Sequence, residues 1–411
     1  MRSMLSLSLT LPLLAAVAPV AMAGEEPCNA ETVARRNRDF GIDLYARLRE
    51  QEGNVFISPH SISSALAMTM AGARGRTEAQ MRSTLGFGIM SDLSAEKLGE
   101  AFGKIGKVEG KSCELSSANA IWMQHRYPFQ PDFVSALHGS WGAEAEGLDF
   151  EHGPESARQR INGWVEEKTH DKVKELIGPD VLSSDTRMVL TNAIYFQGRW
   201  ATRFKKERTR IEPFHLANGK ETRVPLMCLS ADDAEGKVGH ARTEEASVVE
   251  LPYEGGELSF VAMMPNDPAS FAAFEKSLTA EKVAALLGKI ARSPEVEVYL
   301  PRFEMMWSGR LEKTLAAMGI EDLFESGKAD LSGISTAEKL HVSAVVHKTF
   351  LHVDEEGTTA AAATGVAIDK CMAVPPTIFR ADRPFIFMIR NVKTGALLFL
   401  GRCADPVGGS M

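Results

Sequence analysis

Glu355-Glu356-Gly357-Thr358-Thr359-Ala360-Ala361-Ala362-Ala363-Thr364-Gly365 is a long, nearly uncharged run of small residues behind two carboxylates and a glycine. Ala is the best helix former, so an Ala-rich helix is one reading and a flexible linker another. Strand-like sequence flanks the run on both sides, at residues 342–353 and 385–389. The sharper reading is a mobile loop, continuing to Pro376, that can itself become a strand.

Outward from this run, the chain mixes helices and strands without regular βαβ alternation. Upstream, residues 342–353 form a long strand, and Ser308 is expected to cap a helix carrying Leu311, Leu315 and Met318 on one stripe. Residues 248–251 and 258–264 pair through a turn at Gly255-Gly256. Residues 188–196 are apolar on both faces apart from Thr191 and Asn192, the pattern of a covered central strand. Asn192 must find a partner there or cost about 1–3 kcal/mol. Residues 115–123 are a second buried strand, with Asn119 inside it. Nearer the start, Phe40, Leu44, Tyr45 and Leu48 share one helix face, and residues 155–170 form an amphipathic helix. Ser58-Pro59 opens another helix, apolar over most of its surface. Downstream, residues 384–389 and 396–402 form a hairpin turning at Lys393-Thr394-Gly395. No repeat or composition break marks a linker, so one large α+β domain is expected over residues 24–411.

The 411 residues are 44% hydrophobic and 24% charged, enough to bury a large core. A net charge of −8 argues against a nucleic-acid binder. Arg2, the apolar run 5–20 and Ala21-Met22-Ala23 have the form of a cleaved secretory signal over residues 1–23. Export, to a secreted or periplasmic location with no membrane anchor, is the expectation. The five cysteines leave at least one without an intrachain partner, and no C-x-x-C suggests zinc or redox chemistry.

Catalytic motifs are missing: there is no G-x-S-x-G, H-E-x-x-H or P-loop pattern. Ser94-Ala95-Glu96-Lys97 matches S-x-x-K, in a polar and loop-like region, without the companion motifs of a β-lactamase. His347 and His352 fall on opposite faces of a strand and cannot share a metal. Neither an enzyme, a metal nor a cofactor is indicated. Lys205-Lys206-Glu207-Arg208-Thr209-Arg210 is the densest basic run, and such a run is ordinarily a solvated surface.

The order of motifs resembles the serpins across nearly the whole chain. Phe379-Arg380-Ala381-Asp382-Arg383-Pro384-Phe385-Ile386-Phe387-Met388-Ile389 matches their C-terminal signature at every position. Residues 54–62, 191–200, 249–253, 300–303, 318–320 and 347–348 agree in order and spacing, as does the hinge, Glu355-Glu356-Gly357-Thr358 with Thr359 and Ala360 to Ala363 behind it. The resemblance implies a serpin fold of three β-sheets and about nine helices, with a reactive loop near the C-terminus. It implies a monomeric inhibitor that traps a serine protease as a covalent acyl-enzyme when the cleaved loop inserts into the largest sheet. Ser58, Ser61, Asn192 and His347 match positions that control opening of that sheet; Trp200 and Phe204 match the region where the loop enters.

An inserting strand must bury alternate side chains in a space already closed. Counted from Gly357, the inward set is Thr358, Ala360, Ala362 and Thr364, all small and uncharged. Family spacing, seventeen residues from Glu355, places the reactive bond at Cys371-Met372. A loop shorter by one residue would place it at Lys370-Cys371, and Met372 is a third candidate for the residue before the bond. Lys370 suits a trypsin-like protease, whereas Cys371 or Met372 suits a shallower, chymotrypsin- or elastase-like pocket. A non-inhibitory binding, carrier or chaperone member of the family is the alternative. Bulky or charged residues in place of Thr358 and Ala360 would mark it, and this chain has small, uncharged ones there.

Overall fold

The computed structural model describes residues 25–107, 112–234, 236–293, 295–336, 340–358 and 376–408. Helix α1 (Ala30–Leu48) begins where the Asn29 side chain accepts from the Thr32 amide, and it buries Phe40, Leu44, Tyr45 and Leu48. Helix α2 (Pro59–Gly72) begins at Ser58, whose hydroxyl accepts from the Ser61 amide at 3.2 Å. Its unbroken apolar surface is explained by burial on nearly every side. Helices α3 (Gly75–Thr84) and α4 (Ala95–Gly106) follow.

Two local expectations need correction. Ser94 is the N-cap of α4, accepting from the Lys97 amide, and the Lys97 ammonium pairs with Asp92 at 2.5 Å. The S-x-x-K spacing is therefore a helix start, in a segment that had looked loop-like. Ser308 caps no helix. It lies within a strand opposite Lys348, and the helix behind it starts at Glu312. The alternation of buried Phe303, Met305 and Trp307 is the period-2 signal that outweighs the local cap pattern.

Three sheets organise the described residues. The central one runs β12 (Phe303–Arg310), β13 (Ala344–Val353), β4 (Met188–Arg199), β2 (Cys113–Gln124) and β3 (Glu144–Leu148), with the two-residue β14 (Gly357–Thr358) beside β4. A seven-stranded sheet runs β1 (Val55–Ile57), β17 (Leu397–Cys403), β16 (Phe385–Asn391), β9 (Leu258–Pro265), β8 (Ala246–Pro252), β7 (Gly239–Arg242) and β10 (Ala291–Arg292). The third holds β15 (Thr377–Arg380), β11 (Val296–Pro301), β6 (Glu221–Leu229) and β5 (Arg210–His215).

The central sheet has apolar layers on both faces. Leu190, Ile194 and Phe196 of β4 join the main core with α1, α2 and the seven-stranded sheet. Val189, Ala193 and Tyr195 point the other way, into a smaller core with Ile161, Trp164 and Val165 of the helix Pro154–Lys168. Aromatic rings tie the sheets together: Phe387 on β16 stacks on Phe56 and Phe260 of its own sheet, at 5.5 and 5.6 Å, and meets Phe303 of β12 in the central sheet edge-on at 5.7 Å. Phe387→Ala removes a fully buried ring from that junction. It should lower unfolding stability by about 3–5 kcal/mol, measured by urea denaturation.

Candidate functional site

β13 and β4 run parallel and stay in register from Ala344 opposite Val189 to Phe350 opposite Tyr195. The central sheet is therefore closed along this seam. Midway, His347 stands opposite Asn192. His347 Nε2 accepts the Ser58 amide proton at 3.0 Å, which places the ring proton on Nδ1. Nδ1 donates to the Asn192 side-chain oxygen and lies 3.2 Å from its backbone carbonyl. The Asn192 amide donates to Ser61 Oγ at 2.5 Å and Asn119 Oδ1 at 2.6 Å. Ser61 Oγ donates to the same Asn119 oxygen, and Ser58 Oγ to the Leu398 carbonyl at 2.6 Å. One network thus joins β13, β4, β2, α2 and β17 beneath the seam. Burial pushes the His347 ring down to about 3, opposed in part by its bond to the Asn192 carbonyl. Protonation would set a second N–H against the Ser58 amide.

Past Phe350 and Tyr195 the ladder between the two strands ends, and β14 takes the place beside β4. Gly357 pairs with Arg199 and Thr358 with Gly198, antiparallel. Gly198 has Cys113 of β2 on its other edge, so β14 lies in line with the seam. A Cβ on Gly357 would fall 2.1 Å from the Gly198 carbonyl oxygen, so no other residue fits this seat without movement. The Thr358 side chain is fully buried, its hydroxyl 2.9 Å from the Tyr253 hydroxyl.

The residues before this seat are held as firmly. Trp200 stacks on Tyr253 at 4.7 Å and donates from its indole to the Asp354 carbonyl at 2.9 Å. The Trp200 and Phe204 amides donate to the Glu356 and Glu355 carbonyls. Both carboxylates are buried, which is tolerable only with partners. Glu355 accepts from the Thr209 hydroxyl at 2.8 Å and faces Arg302 at 3.6 Å. Glu356 pairs with Arg203 at 3.0 Å and Lys206 at 3.5 Å. The basic run at 205–210 is thus not merely a solvated face: Lys206 holds Glu356, and Lys205 and Arg208 face Asp233.

The structure brings Ser58, Ser61, Asn192 and His347 together and places Trp200 apart from them, with the hinge. Of the hinge itself, Glu355, Glu356, Gly357 and Thr358 are described. Thr359, Ala360 to Ala363, Lys370, Cys371 and Met372 lie outside the described residues. Sequence reasoning missed Tyr253 as partner of Thr358, and Arg203 and Arg302 as partners of the two glutamates. It noted Asn119 as a polar residue in a buried strand without connecting it to Asn192. Cys28, Cys113, Cys228 and Cys403 are free thiols.

A model of the family "Serpin (serine protease inhibitor)" matches residues 35–406. The chain belongs to the serpin family. It is 39% identical to the human leukocyte elastase inhibitor over 385 residues, covering 92% of this chain and all of the relative. The Bos taurus protein of the same name is 41% identical over 384 residues, with the same coverage. Among solved structures, uncleaved ovalbumin superposes with a TM-score of 0.82 at 30% identity, covering 91% of this serpin and 100% of that chain. Native protease nexin-1 with heparin gives 0.81 at 30% identity, covering 92% and 100%. This serpin is an inhibitor of serine proteases, not an enzyme, and its partners are target proteases held in covalent complexes.

The expectation of export is corrected by these same relatives. The leukocyte elastase inhibitors are matched over their full length by 92% of this chain, and nothing in them stands opposite a leader. Residues 1–23 lie outside the described residues. The leader-like pattern is a basic residue, an apolar run and a small-x-small site, read from the sequence alone.

The seam makes stability depend on pH in a fixed direction. His347 drops from an ordinary 6.5 to about 3 on folding. Its contribution is complete above pH 6.5 and is lost as pH falls toward 3, at about 1.4 kcal/mol per pH unit. His60, lowered by burial to about 4, adds a slope of the same sign. His347→Gln should remove about 2 kcal/mol of the loss between pH 7 and pH 5, read from urea denaturation of both proteins.

Proposed function

We propose that this serpin traps an elastase- or chymotrypsin-like protease, as a monomer and a single domain over residues 24–411, by threading residues 359 onward down the β4–β13 seam. The observation that carries this reading is the seat of Gly357–Thr358 on β4. Continuing its antiparallel register sets Ala360 opposite Phe196, Ala362 opposite Ile194 and Thr364 opposite Asn192. Phe196 and Ile194 face the main core, so the inward positions would be those filled by small, uncharged residues. Thr359, Ala361 and Ala363 would face the smaller core on the helix Pro154–Lys168 side.

Insertion is favoured by the seam's own chemistry. A parallel ladder is slightly less stable per residue than an antiparallel one. A strand entering between β4 and β13 would replace the parallel ladder with two antiparallel ladders, strand addition of the kind for which serpins are a known example. The protease serine attacks the carbonyl of residue 371, forms an ester and releases the amine of Met372. Water hydrolyses that ester unless insertion carries the enzyme away first. The His347–Asn192 network would set the rate of opening, and the uncleaved fold would persist as a kinetic trap. The spacing favours Cys371-Met372 as the bond. The name shared by the relatives, leukocyte elastase inhibitor, favours the shallow apolar pocket that Cys371 suits. Cleavage at Lys370-Cys371 would turn the target trypsin-like.

Incubation with elastase- and chymotrypsin-like proteases should yield an SDS-stable complex, and mass spectrometry of the released peptide should begin it at Met372. Clean cleavage without a complex for every protease tried would overturn the reading. Thr358→Arg puts a cation where a fully buried hydroxyl sits, and should raise the inhibitor consumed per protease trapped by about tenfold or more. Protein cleaved in the loop should melt well above the intact form in a thermal scan; an unchanged midpoint would mean that no strand was added.

A further inference from the structure

β13 passes into the hinge through a turn that one residue closes. The Asp354 amide donates to the Gly357 carbonyl at 2.9 Å. Asp354 Oδ1 accepts from the amides of Glu356 at 2.9 Å and Gly357 at 3.1 Å. Three bonds to a single residue thus turn the chain from β13 into the antiparallel seat of β14 on β4.

The other oxygen of this carboxylate faces a histidine. Asp354 Oδ2 lies 3.6 Å from His352 Nε2, and the second ring nitrogen, Nδ1, lies 3.3 Å from Glu304 Oε2. Glu304 stands opposite His352 on β12. The ring is therefore held between two carboxylates, one at each nitrogen. A neutral imidazole has one N–H and one lone pair, so it donates to one carboxylate and sets its lone pair against the other. Only the imidazolium, with two N–H groups, satisfies both. The bond to Asp354 is the main cause that lifts the ring above its ordinary 6.5; burial opposes it and Glu304 adds to it.

The cations on this face of the sheet have partners of their own. Arg302, two residues before Glu304, faces Glu355. Lys348, four residues before His352, donates to the Lys174 carbonyl at 2.6 Å, and Lys172 stands over the Tyr195 ring. On the β4 side the ladder with β13 ends at Phe350 opposite Tyr195, and the next β4 residue on that face, Gln197, is uncharged.

We propose that Asp354 is the positioning residue of the hinge and that His352 makes its hold depend on pH: the protonated ring keeps the turn closed and Thr358 seated, and the neutral ring loosens both. A group raised on folding contributes fully below its ordinary 6.5 and loses that contribution as pH rises through the raised value. His347 and His60, both lowered, act in the opposite direction, so the hinge loosens in base and the seam weakens in acid. The consequence for trapping rests on the insertion mechanism proposed above. An unseated Thr358 delays entry of the strand and gives water longer to hydrolyse the ester, so more inhibitor is consumed per protease trapped as pH rises.

Hydrogen exchange at the Glu356 and Gly357 amides of the full chain, read by NMR as protection over unstructured peptide at the same pH, tests the turn. Protection should fall several-fold between about pH 6 and about pH 8.5. His352→Gln should show the low value throughout. Asp354→Asn keeps an oxygen for the two amides and removes the charge facing the ring, so it should stay protected with no pH dependence. Asp354→Ala should lose protection at every pH. Wild-type protection that ignores pH, or that changes equally in His352→Gln, would overturn the pH dependence; full protection in Asp354→Ala would remove the positioning role. In histidine-labelled protein, the resonance missing from His352→Gln should titrate above 6.5, and lower in Glu304→Gln than in the wild type. A wild-type midpoint at or below 6.5 would also refute the proposal. These readouts involve no protease. The inhibitor consumed per protease should be lower for the wild type than for His352→Gln at about pH 6, and equal for the two at about pH 8.5; a constant ratio would refute the consequence for trapping. A chain that forms no complex with any protease sinks the inhibitory reading alone, and exchange at the turn still decides the proposal.

Discussion

One hydrogen bond across a parallel pair of strands carries more consequence than any other contact in this serpin. His347 and Asn192 face each other midway along the stretch where β13 and β4 are joined, and each is pinned from beneath by α2. Hydrophobic burial holds strands together without direction, and would tolerate sliding. A chain of buried polar groups does not, because each donor must keep its acceptor or lose the bond in a medium that offers no water. The network therefore makes the closed seam one discrete state rather than the end of a continuum. It also makes the state breakable as a unit, since losing one member strands the others.

The hinge applies the same principle at the top of the sheet with charge. Two carboxylates are buried within a few ångströms of Arg203, Lys206 and Arg302. Such pairs are weak evidence of net stability, because desolvation offsets much of the attraction. Their value lies in placement. They fix where the chain leaves β13 and turns back toward β4, so that Thr358 meets Tyr253. The seam and the hinge seat differ in kind: one joins β13 to β4 over a buried polar network, the other seats Thr358 beside β4 through backbone pairing and charge.

Much of this was legible in the sequence. Asn119 and Asn192 stood out as polar residues inside apolar strands, Ser58 as a helix cap before Pro59, and the alternation after Gly357 because only small residues recur. Ser308 misled, since a cap pattern is local while the ladder with Lys348 is not. The partners of Glu355 and Glu356 were illegible for a related reason. Arg203 sits outside every recognised motif and Arg302 inside one, yet nothing local to either says that a carboxylate from residue 355 or 356 will be folded beside it. Pairing across 50 or 150 residues is a property of topology, and a single sequence shows topology only through resemblance. The expectation of export failed differently, because it rested on a local sequence pattern alone.

The length of β4 has a mechanical meaning. Its 12 residues define a slot of about 40 Å at roughly 3.3 Å per residue. A strand laid along the whole of it would haul whatever is attached to its far end by a distance comparable to the width of a small protein. The central sheet is, in that sense, a track whose length was set by folding and whose travel is available only once.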